Sequence, residues 1–219
     1  AYLRLEDATA EQLLGDSYAE TLAYFTEKGI YQQGMEYFCP FFWASAASGL
    51  VTDESGLDTS YGTESLFLEL AHSGRKEIRE IEGGEAQYKM MGGIPMSIQL
   101  STLAECVGDD NIAAQAEDTR ELYAAWSSFD DEFFRGLSVY DPDTVDNLSD
   151  WEEYYDMMYT SRQKLMADFI TDSLKSGGLG FVFVGTMHFY AEPSIITLLE
   201  DAGYTVSEIR PENQADEAA

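Results

Sequence analysis

A block of helix-period sequence from residue 84 to 176 lies between two strand-like segments, and any fold for this chain has to place it. The block is interrupted at "GGIP", "GDD" and "YDPDTVD". "SDWE" at 149–152 has the form of a capping box and predicts a helix running to Lys175, where "GG" supplies a left-handed exit. Before the block, "KEIREIE" sets Ile78 and Ile81 among polar residues beside a turn-forming "GGE" and predicts a strand over 77–82. After it, the pattern predicts a strand over 179–184, a helix over 193–202 and a strand over 204–209. Helices and strands alternating in this way are the grammar of an α/β fold. Three strands are few for 219 residues, which predicts further strands ahead of Ala1.

The front of the chain reads as helix. "TAEQ" at 9–12 fits a capping box, and Leu13, Leu14, Tyr18, Leu22 and Phe25 follow at helical spacing until Gly29. Residues 30–50 are dense in aromatics and broken by Pro40, which predicts two short helices around the break. A loop rich in Gly, Asp, Ser and Thr leads to a predicted helix over 62–73. One domain over residues 1–210 accommodates all of these elements, and "PENQADEAA" predicts a frayed acidic tail over 211–219.

Charge narrows the range of partners. With 41 acidic against 12 basic residues the formal charge is −29, so nucleic-acid backbones and anionic lipid surfaces are repelled. The excess forms either a solvated acidic surface or a means of gathering cations. No run of about 18 apolar residues is present to span a membrane. Cys39 and Cys106 lack CxxC spacing, which excludes a zinc finger or a redox pair and leaves two buried thiols or one disulfide.

Few residues combine chemical capacity with a suggestive position. His188 follows the strand-like "FVFV" and Gly185, just beyond a strand end, where ligands bind in open α/β sheets. An imidazole there would hold a metal or move a proton, or would simply pack in a turn. Arg162 shares a helix face with Met158, Leu165, Met166 and Phe169, so it either meets a carboxylate or snorkels outward. Glu82 closes the strand-like "KEIREIE", and Asp58 lies in a glycine-flanked loop. His72, beside Gly74, suits a surface or capping role. The aromatics Tyr31, Tyr37, Phe38, Phe41, Phe42 and Trp43 form either plain core or the wall of a pocket for apolar groups.

The order of these segments resembles the TraB/GumN family, related to the Tiki metalloproteases and to the erythromycin-esterase and ChaN-like group. The resemblance runs through "GLD" at 56–58, "LAHSGRKEIREIEGGEAQ" at 70–87, "AAWSSFDDEFF" at 124–134, "YTSRQKLMADFITDSL" at 159–174 and "FVFVGTMHFYAEPSIITLLEDAGYTVSEI" at 181–209. "GTMH", Gly185 to His188, matches the family's late GxxH motif, while the early GxxH falls outside these residues. Glu82 and Gln87 match the family's "LE" and following glutamine, and Asp58 matches its "GxD". Arg162 matches the arginine of an "RN" pair whose second member is here Gln163, and the family's "GD" is here Phe129 and Asp130.

The resemblance implies an α/β domain with a mixed sheet, flanking helices and a large helical insertion. It implies a divalent-metal-dependent hydrolase acting on peptides, with manganese, cobalt or zinc held in part by His188. Glu82 and Arg162 would be catalytic, and Asp58, Gln87 and Gly185 would contact substrate. The alternative is a non-enzymatic protein that binds a peptide, such as a pheromone, in a degenerate site. Family members are often secreted or lipid-anchored, which predicts an extracytoplasmic location.

Overall fold

The structure, a computed structural model, describes residues 2–138 and 147–209. The front of the chain follows its caps. Thr9 Oγ1 accepts the Gln12 N–H and Gln12 Oε1 accepts the Thr9 N–H at 2.9 Å, a reciprocal capping box that starts α1 (Ala10–Leu14). Gly15, at φ +54°, then breaks the expected single helix, and a 3-10 turn hands over to α2 (Tyr18–Glu27).

Pro40 does not divide two short helices. A one-turn 3-10 segment (Met35–Tyr37) precedes it, and Pro40 opens the long helix α3 (Pro40–Ser55). The ring's fixed φ and missing N–H cost nothing at the first helical position. The chain continues through α4 (Thr63–Ser73), α5 (Gly84–Gly92), α6 (Met96–Ala104), α7 (Asp109–Ser128) and α8 (Asp131–Ser138). The predicted break at "YDPDTVD" and the acidic tail at 211–219 lie outside the described residues.

Past residue 147 come α9 (Leu148–Tyr155), one π-helical turn (Asp156–Thr160), α10 (Ser161–Ser176) and α11 (Ile195–Asp201). The cap of α9 is Asn147, whose side chain accepts the Asp150 N–H, so the helix starts two residues before the predicted "SDWE" box.

Two apolar clusters hold these helices. In the first, α3 packs on α6 and α7 around Phe25, Trp43, Ala47 and Leu103. Trp43 is fully buried, and its indole N–H donates to the Met35 carbonyl at 2.9 Å. Burying a ring of that size removes about 200 Å² from water and contributes roughly 5 kcal/mol. Tyr31 and Phe42 pack against the same cluster, so these members of the aromatic group are core. Cys39 and Cys106 are both buried as free thiols, and burial raises the pKa of each. Lys28 bridges to Asp109 at 2.5 Å and pins the end of α2 to the start of α7.

The second cluster, Met166, Ile195 and Leu199, joins α10 to α11. Ile81, Val184, Tyr204 and Val206 pack against it from the three segments predicted as strands. Those segments carry no regular secondary structure, with a bend at 81–82, and among the described residues they form no ladder. The only β-pairing among the described residues is a single antiparallel bridge between Arg4 and Phe38. The expected α/β fold with a mixed sheet is therefore overturned: the described chain is all-α, with irregular connections laid over helices. Period-two apolar patterning asks only for cover on one face of a segment, and here Ile81, Val184, Tyr204 and Val206 are half-buried against helices while Ile78 and Phe181 stay exposed. A sheet needs in addition a partner backbone at ladder spacing, which the pattern of one segment does not encode.

Candidate functional site

The stretch 181–184 enters a single 3-10 turn (Thr186–Phe189) at Gly185. The Gly185 carbonyl accepts the His188 N–H at 3.0 Å, which folds His188 back over the turn. A Cβ at position 185 would stand 3.8 Å from the imidazole Cδ2, an ordinary contact, so space alone does not demand glycine there. His188 is 6% exposed, and the Tyr159 ring meets it edge-on at 6.0 Å between centroids. Burial lowers the imidazole pKa below its ordinary 6.5, the Arg162 charge lowers it further, and Glu82 opposes the shift. The ring is held in its neutral form.

Glu82 and Arg162 meet as the sequence suggested. The Arg162 Nε donates to Glu82 Oε1 and its Nη2 to Glu82 Oε2, both at 2.8 Å, while Nη1 donates to the Met158 carbonyl at 3.2 Å. Their side chains are 11% and 19% exposed, so this bidentate pair is largely removed from water. The guanidinium hydrogen bonds hold the Glu82 carboxyl below its ordinary pKa of 4.5 against the effect of burial, with smaller contributions from the His188 and Gln87 side chains. Glu82, Arg162, His188 and Gln87 thus form one electrostatic cluster. They are brought together from the segment after α4, from α10, from the turn after residue 185 and from α5.

Gln163, the neighbour of Arg162, was weighed only as a departure from an expected asparagine. It is fully buried, and its Nε2 donates to the Ala191 carbonyl at 2.8 Å. Two buried polar atoms have no hydrogen-bond partner among the described residues, Gln163 Oε1 and His188 Nδ1. Beside them Trp151, Tyr155 and Tyr159 form a ladder, with centroids 5.0 and 5.1 Å apart. Their four-residue spacing in the sequence places them on one helix face. Tyr155 donates to the Glu192 carbonyl at 2.9 Å, and Tyr190 donates to Asp131 while stacking on Phe134, so the turn is tied to α9 and α8. Burial and the hydrogen bond to Asp131 push the Tyr190 phenol up to about 12.

The remaining candidates serve local structure. Asp58 is exposed; its Oδ1 accepts the Ser60 N–H at 2.8 Å and caps the 3-10 turn Thr59–Tyr61, a contact that lowers its pKa. Asp130 accepts the Phe133 N–H at 3.0 Å at the start of α8. His72 lies exposed in the last turn of α4. A broad open cleft of about 710 Å³ runs along Arg4 to Thr9, Gln12 and Tyr37; of the candidates it includes Tyr37 from the aromatic group and none of the polar residues.

The donor set does not by itself make a metal centre. Among the described residues no three His, Cys, Asp or Glu side chains converge, whereas a catalytic zinc takes three protein ligands. Both Glu82 oxygens are already held by Arg162, which leaves His188 Nδ1 as one uncommitted donor. No helix among the described residues is long and apolar enough to cross a membrane.

Neither curated proteins nor solved structures yield a match to this chain. A family model does match, and it runs over residues 1–208, across the GxxH turn, the Glu82 segment and the helix bearing Arg162. With nearly the whole sequence covered and these residues gathered at one place, the chain belongs to the TraB/PrgY/gumN family.

Proposed function

We propose that the His188 site captures a peptide. The observation that carries this reading is the pair of unpartnered buried atoms, His188 Nδ1 and Gln163 Oε1, beside an aromatic wall. A buried polar atom without a partner costs about 1–3 kcal/mol, and the N–H groups of a peptide backbone are the donors that would satisfy such atoms. Glu82 is already paired with Arg162, which donates to both of its oxygens. The ion pair instead keeps the floor of the site in shape, while burial, aided by the Arg162 charge, favours neutral His188.

The experiment is affinity selection from a random heptapeptide library on the wild-type chain and on His188→Ala. Enrichment by the wild type and its loss in a variant with unchanged circular dichroism support capture. Equal enrichment by both proteins refutes it.

A hydrolytic reading is favoured by one observation, the neutral state of His188 with Nδ1 uncommitted, in which an imidazole accepts a proton from water or ligates a divalent ion. Manganese, cobalt and zinc content measured on the purified wild type and on His188→Ala tests the second possibility. Bound metal that is unchanged in the variant removes His188 as a ligand.

A further inference from the structure

Beneath the 3-10 turn that carries His188 is a cavity of about 140 Å³. Its wall includes Trp151, Tyr154, Tyr155, Tyr159, Met187 and Ala191, and none of the described residues lining it is charged. We propose that this cavity is a side-chain subsite that takes an aromatic group, of phenylalanine type, from the peptide bound at His188. The proposal rests on the capture reading and specifies its substrate class.

Three observations favour that occupant. The first is size: an apolar cavity of about 150 Å³ in a protein interior accepts benzene, and the cavity here is of that order. The second is chemistry. The wall is largely aromatic and thioether, which suits edge-to-face and sulfur–aromatic contacts with a ring, and among the described residues no charged group lines it to stabilise a Lys, Arg, Asp or Glu side chain. The third is position. Tyr159 both lines the cavity and touches the His188 ring, and Met187 precedes His188 in the same turn. Ala191 lines the cavity while its carbonyl holds Gln163. A peptide whose backbone is fixed by His188 and Gln163 therefore has this cavity within reach of one side chain.

The wall is also held in place. The Tyr155 hydroxyl is anchored on the Glu192 carbonyl at 2.9 Å, and Trp151, Tyr155 and Tyr159 stack along one helical face. The π turn lies within that face and includes Tyr159. Wide turns of this kind are concentrated at functional positions. A preformed pocket loses less conformational freedom on binding than one assembled by the ligand.

The test uses the full chain with N-acetyl-L-phenylalanine amide and N-acetyl-L-alanine amide as probes, their affinities measured by ligand-observed NMR. The phenylalanine probe is expected to bind at least about tenfold more tightly. Two filled variants of Ser138, which also lines the cavity, Ser138→Phe and Ser138→Trp, each place extra atoms in the wall, and in a folded variant the preference falls towards unity while affinity for the alanine probe is unchanged. Equal affinity for the two probes, or a preference that survives in both filled variants, overturns the assignment and leaves the cavity a packing defect. The ratio of the two probes reads the cavity, whereas loss of peptide binding in His188→Ala reads the polar capture, so the two readings fail separately.

Discussion

Removing Arg162 should destabilise this protein far more than removing Arg162 and Glu82 together. In Arg162→Met the helix keeps its side-chain volume but loses two charge-assisted hydrogen bonds at 2.8 Å, and the Glu82 carboxylate, 11% exposed, has no counter-charge. Breaking a fully buried pair costs about 3–5 kcal/mol, and the residual exposure here places the expected loss near the lower bound, at about 3 kcal/mol. Glu82→Met leaves the guanidinium with the Met158 carbonyl, and a loss of about 2 kcal/mol is expected. In the double variant no uncompensated charge remains, so its cost should not exceed about 2 kcal/mol and the coupling should be about 3 kcal/mol. Urea unfolding at pH 7, fitted with a common m-value, measures all four corners of the cycle. The pH dependence supplies a second check. Because the folded Glu82 pKa is depressed, its contribution is present above 4.5 and is lost as pH falls through the folded value; that acid limb should shrink in Arg162→Met. Additive single-variant costs, or a loss below about 0.5 kcal/mol in Arg162→Met, would refute the argument that the pair is desolvated and mutually dependent.

Two further outcomes follow from the geometry. His188 should titrate below 6.5 when its ring protons are followed by NMR, and its midpoint should rise in Arg162→Met, where a depressing charge is gone. The same depression means that stability is lost as pH falls from 6.5 through the folded value; a midpoint at or above 6.5 contradicts the burial argument. Phe129 adopts φ +58°, ψ +43° at the end of α7 with its ring 54% exposed, at the position where the family resemblance expects glycine. Left-handed backbone costs a side-chain-bearing residue about 1–2 kcal/mol, and glycine surrenders about 0.5–1 kcal/mol of chain entropy. Phe129→Gly should therefore raise stability by up to about 1 kcal/mol, seen as a melting point higher by about 2–4 °C. A lower melting point would show that the ring's contacts outweigh the backbone strain.

How the site reads from sequence differs residue by residue. Arg162 was conspicuous because a guanidinium on an apolar stripe requires a partner, and Glu82 at the end of an apolar alternation was the candidate that met it. The GxxH turn was visible because Gly185 and His188 follow an apolar run. Gln163 was missed because an uncharged amide beside an arginine raises no electrostatic alarm, although it is the more deeply buried of the two. An aspartate in a glycine-flanked loop also has a local role open to it, and Asp58 caps a turn.

Local chemistry decided the helices, since caps such as Thr9 and Asn147 and stops such as Gly29 and Gly177 act within a few residues of themselves. In 77–82, 179–184 and 204–209 it marked apolar positions, of which Ile81, Val184, Tyr204 and Val206 are half-buried and Ile78, Phe181 and Ile209 are exposed. Whether those segments would pair was a different kind of question. Ladder formation depends on where another backbone lies, and Ile81, Val184, Tyr204 and Val206 found helices instead. The candidate site has the same character. Glu82, Arg162 and His188 are separated by long stretches of chain, and only the packing of the segment after α4 against α10 and the 185–189 turn makes them neighbours. With that packing come the desolvation of the ion pair, the neutral imidazole and the aromatic cavity beside it.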